Sequence, residues 1–272
     1  MNLEDHLGDI VRKAREMSNV SSKAAAAAAG LTETELSTLE ETGTVAKLPN
    51  FQALANLIGL NPAKLESISK GWLPASKDLG TWREFRCITT DSGGLAVNCY
   101  LVWDEVSRDA ALFDTGWDAK PALELISENQ LMLRHLFVTH THEDHIAALK
   151  EIATKTSARV FGPSRESVSG ATSVHEGDRF EIGNLKVEAR LTNGHSPGGI
   201  SYIIEGLSVP VAVVGDSLFA GSMGGAPSAY SLALTNNREK LMTLPAGTVV
   251  CPGHGPMTTV GEERQHNPFV GA

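Results

Sequence analysis

Four short stretches of this chain carry side chains that could hold and use a metal ion. They are Thr139-His140-Thr141-His142-Glu143-Asp144-His145, Asn193-Gly194-His195-Ser196-Pro197-Gly198-Gly199, Gly215-Asp216-Ser217 and Cys251-Pro252-Gly253-His254-Gly255-Pro256. Five of the nine histidines fall in them. Imidazole nitrogens and carboxylate oxygens are the ligand atoms that Zn²⁺, Fe²⁺ and Mn²⁺ accept. In an extended segment His140 and His142 project to the same side, because side chains alternate with period two. A turn into a helix then brings Asp144 and His145 to a neighbouring position, so one segment can serve two adjacent sites. A single histidine in a glycine-rich loop is usually a turn or surface residue. Here each motif closes an apolar run, and the set as a whole points to a metal-dependent enzyme. Cys251 is expected to pack in the core and not to act as a ligand.

The elements that must place these motifs lie between about residue 83 and the end of the chain. Candidate strands are 85–90, 98–103, 110–114, 133–139, 159–162, 186–192, 200–205, 209–215 and 248–251, with helical patterns near 119–129, 144–156 and 236–244. Strand-rich sequence with interspersed helices predicts an α+β fold, with sheets packed face to face and covered by helices. Residues 1 to about 70 read as helices only. The run Ala24–Ala29 stops at Gly30, and Thr32 with Glu35 forms a capping box ahead of Leu36 and Leu39. A further helix through Phe51, Leu54, Ala55, Leu57 and Ile58 stops at Gly59, and Asn61-Pro62 opens a short last one. The segment 71–82, mixed in Gly, Pro, Ser and charge, reads as a linker, which divides the chain into domains 1–75 and 76–272.

Hydrophobic residues make up 42% and charged residues 20% of the 272, a soluble globular composition with enough apolar material for a sizeable core. A net charge of -9 argues against bulk attraction to nucleic acid or anionic membrane. No apolar run reaches the roughly 18 residues that span a bilayer, and no secretory signal is visible at the start. Three widely spaced cysteines, Cys87, Cys99 and Cys251, fit a reducing compartment. A cytoplasmic location is expected.

The pattern Thr-His-x-His-x-Asp-His at 139–145, followed in order by the His195, Asp216 and His254 motifs, resembles the metallo-β-lactamase-fold superfamily. Asp114-Thr115-Gly116 looks like that family's early Asp-Thr-Gly, and the resemblance covers roughly residues 83–272. It implies an αβ/βα sandwich with a binuclear metal site at one edge. By that resemblance His140, His142 and His195 hold one metal, Asp144, His145 and His254 hold the second, and Asp216 bridges them. It further implies a metal-bridging hydroxide as nucleophile, with Asp144 accepting or relaying a proton. Asp114 either orients a ligand histidine from behind or stabilises a turn. The tail from Pro252 through Thr258, Glu262, Glu263 and Arg264 to Phe269 is similar to the glyoxalase II-like branch, which hydrolyses thioesters. Gly221-Ser222-Met223-Gly224-Gly225-Ala226-Pro227 departs from that branch's usual Gly-Arg-x-Asp segment, which leaves a glutathione substrate in doubt.

Residues 4–70 look like the helix-turn-helix domain of Xre/Cro-type repressors. In that fold the helix beginning near Thr32 enters the major groove, yet here it carries Glu33, Glu35, Glu40 and Glu41 and no Lys or Arg before Lys47. Residues 1–75 hold seven Lys plus Arg against nine Asp plus Glu, a net of -2. DNA is therefore not the expected partner, and homodimerisation or partner binding is the expected role.

The leading reading is a binuclear metallohydrolase, with Zn as the first choice and Fe or Mn as others, acting on a thioester or other ester-like bond of a small molecule. A mononuclear-iron persulfide dioxygenase and a ligand-sensing DNA-binding regulator are the alternatives. The substrate-binding residues are not legible beyond the loops around Ser92-Gly93-Gly94 and Ala220 to Tyr230.

Overall fold

The computed structural model describes residues 2–75 and 82–271. Residues 76–81, the middle of the expected linker, lie outside the described residues. Five helices come first: α1 (Leu7–Met17), α2 (Ser22–Ala29), α3 (Glu33–Thr42), α4 (Phe51–Ile58) and α5 (Pro62–Ser69). Their ends are set by local chemistry. Gly30, Gly43 and Gly59 close α2, α3 and α4 in the left-handed conformation. Thr32 and Glu35 make the reciprocal capping box expected of them, and Asn61 caps α5 ahead of Pro62.

Two six-stranded sheets follow. The first runs in chain order, with β1 (Phe85–Ser92), β2 (Leu95–Trp103), β3 (Asp109–Phe113), β4 (Met132–Phe137), β5 (Arg159–Pro163) and β6 (Thr172–Val174). The second has the reverse order, β12 (Thr258–Thr259), β11 (Val249–Pro252), β10 (Val211–Gly215), β9 (Ile200–Glu205), β8 (Leu185–Leu191) and β7 (Arg179–Ile182). All nine expected strands form. The three that sequence did not reveal, β6, β7 and β12, have two to four residues and lack the continuous apolar run that marks the four-residue β11.

Phe113, Phe137 and Tyr202 pack between the sheets with Phe85, Tyr100 and Val213, so aromatic area from both inner faces fills the middle of the sandwich. Cys251 lies in this core with its thiol fully buried. On the outer face of the first sheet, α6 (Lys120–Glu128) and α8 (Leu149–Thr156) cover Ile88, Leu112 and Leu136. On the outer face of the second, the helical stretch after α9 (Tyr230–Asn236) and α10 (Val260–His266) cover Ala212, Val214 and Val250. The layers are therefore helix, sheet, sheet, helix.

The five helices share a core around Ile10, Val11, Leu36, Leu54, Ile58 and Leu65. That core also takes in Met223, Ala226, Ala233 and Phe269 from beyond the sheets, so the two regions are joined by common apolar packing. Among the described residues no helix is long and apolar enough to cross a membrane.

Candidate metal centre

Strands β3, β4 and β5 are parallel to one another, as are β10 and β11, so their carboxyl ends come out on one edge of the sandwich. The motifs sit on those ends. Asp114 follows β3, His140 follows β4, Asp216 follows β10, His254 follows β11, and His195 lies just beyond β8. The turn after His142 becomes a short helix, α7 (Glu143–Ile146), which swings Asp144 and His145 back towards the edge.

All seven residues singled out in the sequence come together there, in two adjoining groups. His140, His142, His195 and Asp216 form one, and Asp144, His145 and His254 the other, with ligand atoms in each group within 4.8 Å of one another. In the first, His142 Nδ1 is 3.0 Å from His140 Nε2 and 3.1 Å from His195 Nε2. In the second, Asp144 Oδ2 lies 3.1 Å from His254 Nε2 and 3.7 Å from His145 Nε2. Asp216 faces both groups, with Oδ2 3.4 Å from His195 Nε2 and from His254 Nε2 and Oδ1 3.3 Å from His145 Nε2. A tetrahedral ion with bonds of ~2.0–2.1 Å sets its ligand atoms about 3.3 Å apart, so these spacings suit a shared cation.

The far side of each ring decides which nitrogen faces inward. His145 Nδ1 is 2.8 Å from Asp114 Oδ2, His195 Nδ1 is 2.8 Å from the Gly225 carbonyl, and His254 Nδ1 is 2.6 Å from the Ala96 carbonyl. A nitrogen held as a donor behind leaves the other as a lone pair in front, which is how proteins prepare imidazole for a metal. Asp114 also accepts from the Thr139 amide and hydroxyl, both at 2.8 Å. Asp114 therefore touches both the start of the 139–145 loop and the back of the His145 ring.

Two atoms aimed into the middle, His145 Nε2 and Asp216 Oδ1, are buried and lack a hydrogen-bond partner. Buried polar atoms are seldom left so unless something else meets them. Gly253 shows how close the packing is, since a Cβ there would lie 2.3 Å from Asp216 Oδ1 and 2.6 Å from His145 Cε1. The electrostatics agree. Burial, with His145 beside it, drives His140 well below the ordinary histidine range, and burial also lowers His195, so both stand neutral as ligands require. Burial works to lower His145 and His254 too, but Asp114 and Asp216 lift the first to about 10, and Asp144 and Asp216 lift the second to about 11. A field that holds protons so firmly also favours a divalent cation. On these observations the residues fit a metal centre.

Several supporting residues escaped the sequence reading. Glu166, beyond the end of β5, accepts from the Thr141 amide at 2.8 Å, the Thr141 hydroxyl at 2.7 Å and the Gly198 amide at 2.6 Å, tying two metal loops together. Asn236 donates to the Asn193 carbonyl and Asn237 to the Ser217 carbonyl, each at 2.7 Å. These two asparagines stand where α9 widens into a single π turn, Asn237–Leu241. The only signals available were a carboxylate past a parallel strand end and an Asn-Asn pair in a helical pattern. The stretch Ala220–Tyr230, expected as a substrate loop, is buried through Gly224 and lies beneath α1.

A family model for the metallo-beta-lactamase superfamily matches residues 92–254, which spans every motif of the cluster. The chain belongs to this superfamily. It is similar to the hydroxyacylglutathione hydrolase GloC of Haemophilus influenzae, at 28% identity over 198 residues, 64% of this chain and 92% of that protein. The "probable metallo-hydrolase YqgX" of Bacillus subtilis is 33% identical over 203 residues, 65% of this chain and 94% of that one. Among solved structures, TTHA1623 in a di-iron-bound form superposes with a TM-score of 0.56 at 26% identity, covering 67% of this chain and all of that one. The superfamily member described here is a metallohydrolase with glyoxalase II-like relatives and a His/Asp cluster for divalent metal.

Proposed function

We propose that the protein is a binuclear metallohydrolase that cleaves a thioester or a related ester-like bond of a small molecule. The observation that carries this reading is the pair of adjoining ligand groups with Asp216 between them. His140 Nε2, His142 Nδ1 and His195 Nε2 would hold one ion, Asp144, His145 and His254 the other, and Asp216 would touch both. Zinc is the first expectation, with iron or manganese accepted by the same ligand types. When bound, two such cations supply Lewis acidity and bring the pKa of a water towards ~7.

The chain's own groups do the rest. Asp216 is buried, which works against its charge, but the neighbouring His145 and His254 rings, 3.3 and 3.4 Å away, hold it well below the usual carboxylate range, so it presents a carboxylate to both groups. Asp144 Oδ2 is the candidate to take up the proton released on attack, since it lies at the edge of the cluster beside His254. His142 is the exposed member of the set and marks the side from which substrate arrives. No serine or cysteine nucleophile is required. The similarity to a hydroxyacylglutathione hydrolase supports the thioester class.

The iron dioxygenase alternative needs one metal, and the second ligand group argues against it. The regulator alternative needs DNA binding through α3, whose exposed face presents Glu33, Ser37, Thr38 and Glu41. We assign residues 1–75 a homodimerisation or partner-binding role instead, with 76–272 as the catalytic domain. DNA binding by the full chain tighter than about 10⁻⁶ M at physiological salt would restore the regulator. The functional test is release of thiol from a hydroxyacylglutathione thioester by zinc-loaded protein. Metal-dependent turnover is expected. A fully loaded enzyme that leaves thioesters and simple esters intact would overturn the substrate class.

A further inference from the structure

The helical region packs against the sandwich through the chain's last residues, where the Asn61 amide donates to the Pro268 carbonyl, and through the segment Phe219–Ala226 that follows Asp216. Asp5, 6% exposed, accepts a hydrogen bond from the fully buried Ser222 hydroxyl and another, at 2.5 Å, from Lys13 Nζ. Lys13 Nζ also donates to the Met223 carbonyl at 3.1 Å and lies 5.2 Å above the Phe219 ring. The Met17 sulfur meets the Ala226 amide at 3.1 Å.

The other side of the same segment faces the metal cluster. The Gly225 carbonyl accepts from His195 Nδ1, the Gly224 amide donates to the Asp216 carbonyl at 3.1 Å, and the Phe219 ring packs edge-on to His254 with centroids 5.9 Å apart. Glu4 adds a contact from the helical region, since its backbone lies so close to Gly255 that a Cβ there would come within 2.9 Å of the Glu4 nitrogen. Gly255 is the residue after His254.

We propose that Asp5 and Lys13 are positioning residues of the metal centre, acting through Ser222, Met223 and Phe219 to hold His195 and His254 in place. This rests on the metal-centre reading above. The segment has three glycines among its eight residues, Gly221, Gly224 and Gly225, so its own backbone resists little. Glu263 and Asn267 of the sandwich hold its first half, through the Gly221 amide and the Ser222 carbonyl. Its second half, which carries Gly225, is tied to Asp216 through the Gly224 amide and is held from outside by Lys13 and Met17. A fixed Gly225 carbonyl fixes the His195 ring, and groups behind a ligand of this kind change metal affinity by about 10–100-fold. The sequence departure at 221–227 thus has a use: a Cβ at Gly221 would lie 2.9 Å from Ile68 Cδ1 and 3.0 Å from the Trp72 ring, and one at Gly224 would lie 2.8 Å from His195 Nδ1, so the small residues let the helical region and the metal cluster approach the loop from its two sides.

The test is zinc affinity of the full chain by competition with a chelator, alongside thermal unfolding of the metal-free protein. Ser222→Ala, which removes one oxygen, and Asp5→Asn should each weaken zinc binding by about 10-fold. Arg15→Met is the control. It breaks the buried pair that Arg15 Nε makes with Glu40 at 2.6 Å between α1 and α3; the hydrogen bonds of the Arg15 side chain go to Glu40, Val20 and Glu16 and not to the loop. It should lower the unfolding temperature of the metal-free protein and leave zinc affinity within about 2-fold of wild type. Zinc affinity unchanged in both Ser222→Ala and Asp5→Asn would overturn the proposal, as would equal weakening by Arg15→Met. Wild-type protein that takes up no zinc would instead overturn the metal-centre reading itself.

Discussion

The helical region and the sandwich achieve order in opposite ways. In the first, each helix is specified within a few residues of itself: Thr32 and Glu35 start α3, Gly43 stops it, and Asn61 with Pro62 starts α5. In the sandwich the decisive contacts are long in sequence. Asp114 reaches Thr139 and His145, Glu166 reaches Gly198, and Asn98 donates to the carbonyls of Pro252 and Gly255. A helix bundle can tolerate the loss of any one cap, at about 1 kcal/mol. A site assembled from five strand ends has no such reserve, because each ligand depends on a partner from another element.

The contrast can be broken most forcefully at Asp216. Replacing it with Ala removes the one carboxylate that faces both groups, and should cost at least about 10³-fold in kcat and at least one metal per chain. Thioester assay and elemental analysis together read this out. Full metal content with normal turnover would remove Asp216 from between the ions. The helical region should stay folded, as judged by unchanged helical circular dichroism, because none of its caps involves this edge.

A smaller effect is expected behind the ligands. Asp114→Asn keeps an acceptor for the Thr139 amide but loses the charge that backs His145. Metal affinity should fall about 10–100-fold, with activity recovered at high metal concentration. Activity that excess metal fails to rescue would mean that Asp114 serves the fold alone.

The smallest effect is a pH dependence at the junction of the two regions. Glu263 is fully buried in α10 and accepts from the Gly221 amide, the Thr258 hydroxyl and Asn267 Nδ2. Burial raises it to about 7, against the pull of those donors and with Glu262 adding to the rise. A carboxyl raised on folding contributes stability that is whole below its unfolded value, near 4.5, and is lost as pH climbs through about 7. Metal-free wild type should therefore lose on the order of 1–3 kcal/mol between pH 5 and 8 from this group, and Glu263→Gln should flatten that slope. An identical slope in the two proteins, measured by thermal unfolding, would show that Glu263 does not titrate there.

The cluster was legible because its chemistry is concentrated. Seven ligand-type residues stand in four short motifs, each at the end of an apolar run, and a strand end is a recognisable place. The long strands were legible for a similar reason, since six or more residues of β-branched and aromatic character leave a pattern. What sequence did not reveal is the support. Asp5, Lys13 and Glu166 look like ordinary surface charges until the fold brings Ser222, Met223 and Gly198 to them. Ser222 itself sits in a run of small residues that reads as an open loop, and only the apolar faces of α1 and α5 show that it is covered. A partner that lies 200 residues away leaves no local signal at either end.

Whether the cluster holds two ions is read out by elemental analysis of the protein purified from unsupplemented growth and after reconstitution, scored as metal atoms per chain. About two divalent ions per chain, falling towards one in Asp216→Ala, is the predicted result. A single iron per chain, or no metal even after reconstitution, would contradict it.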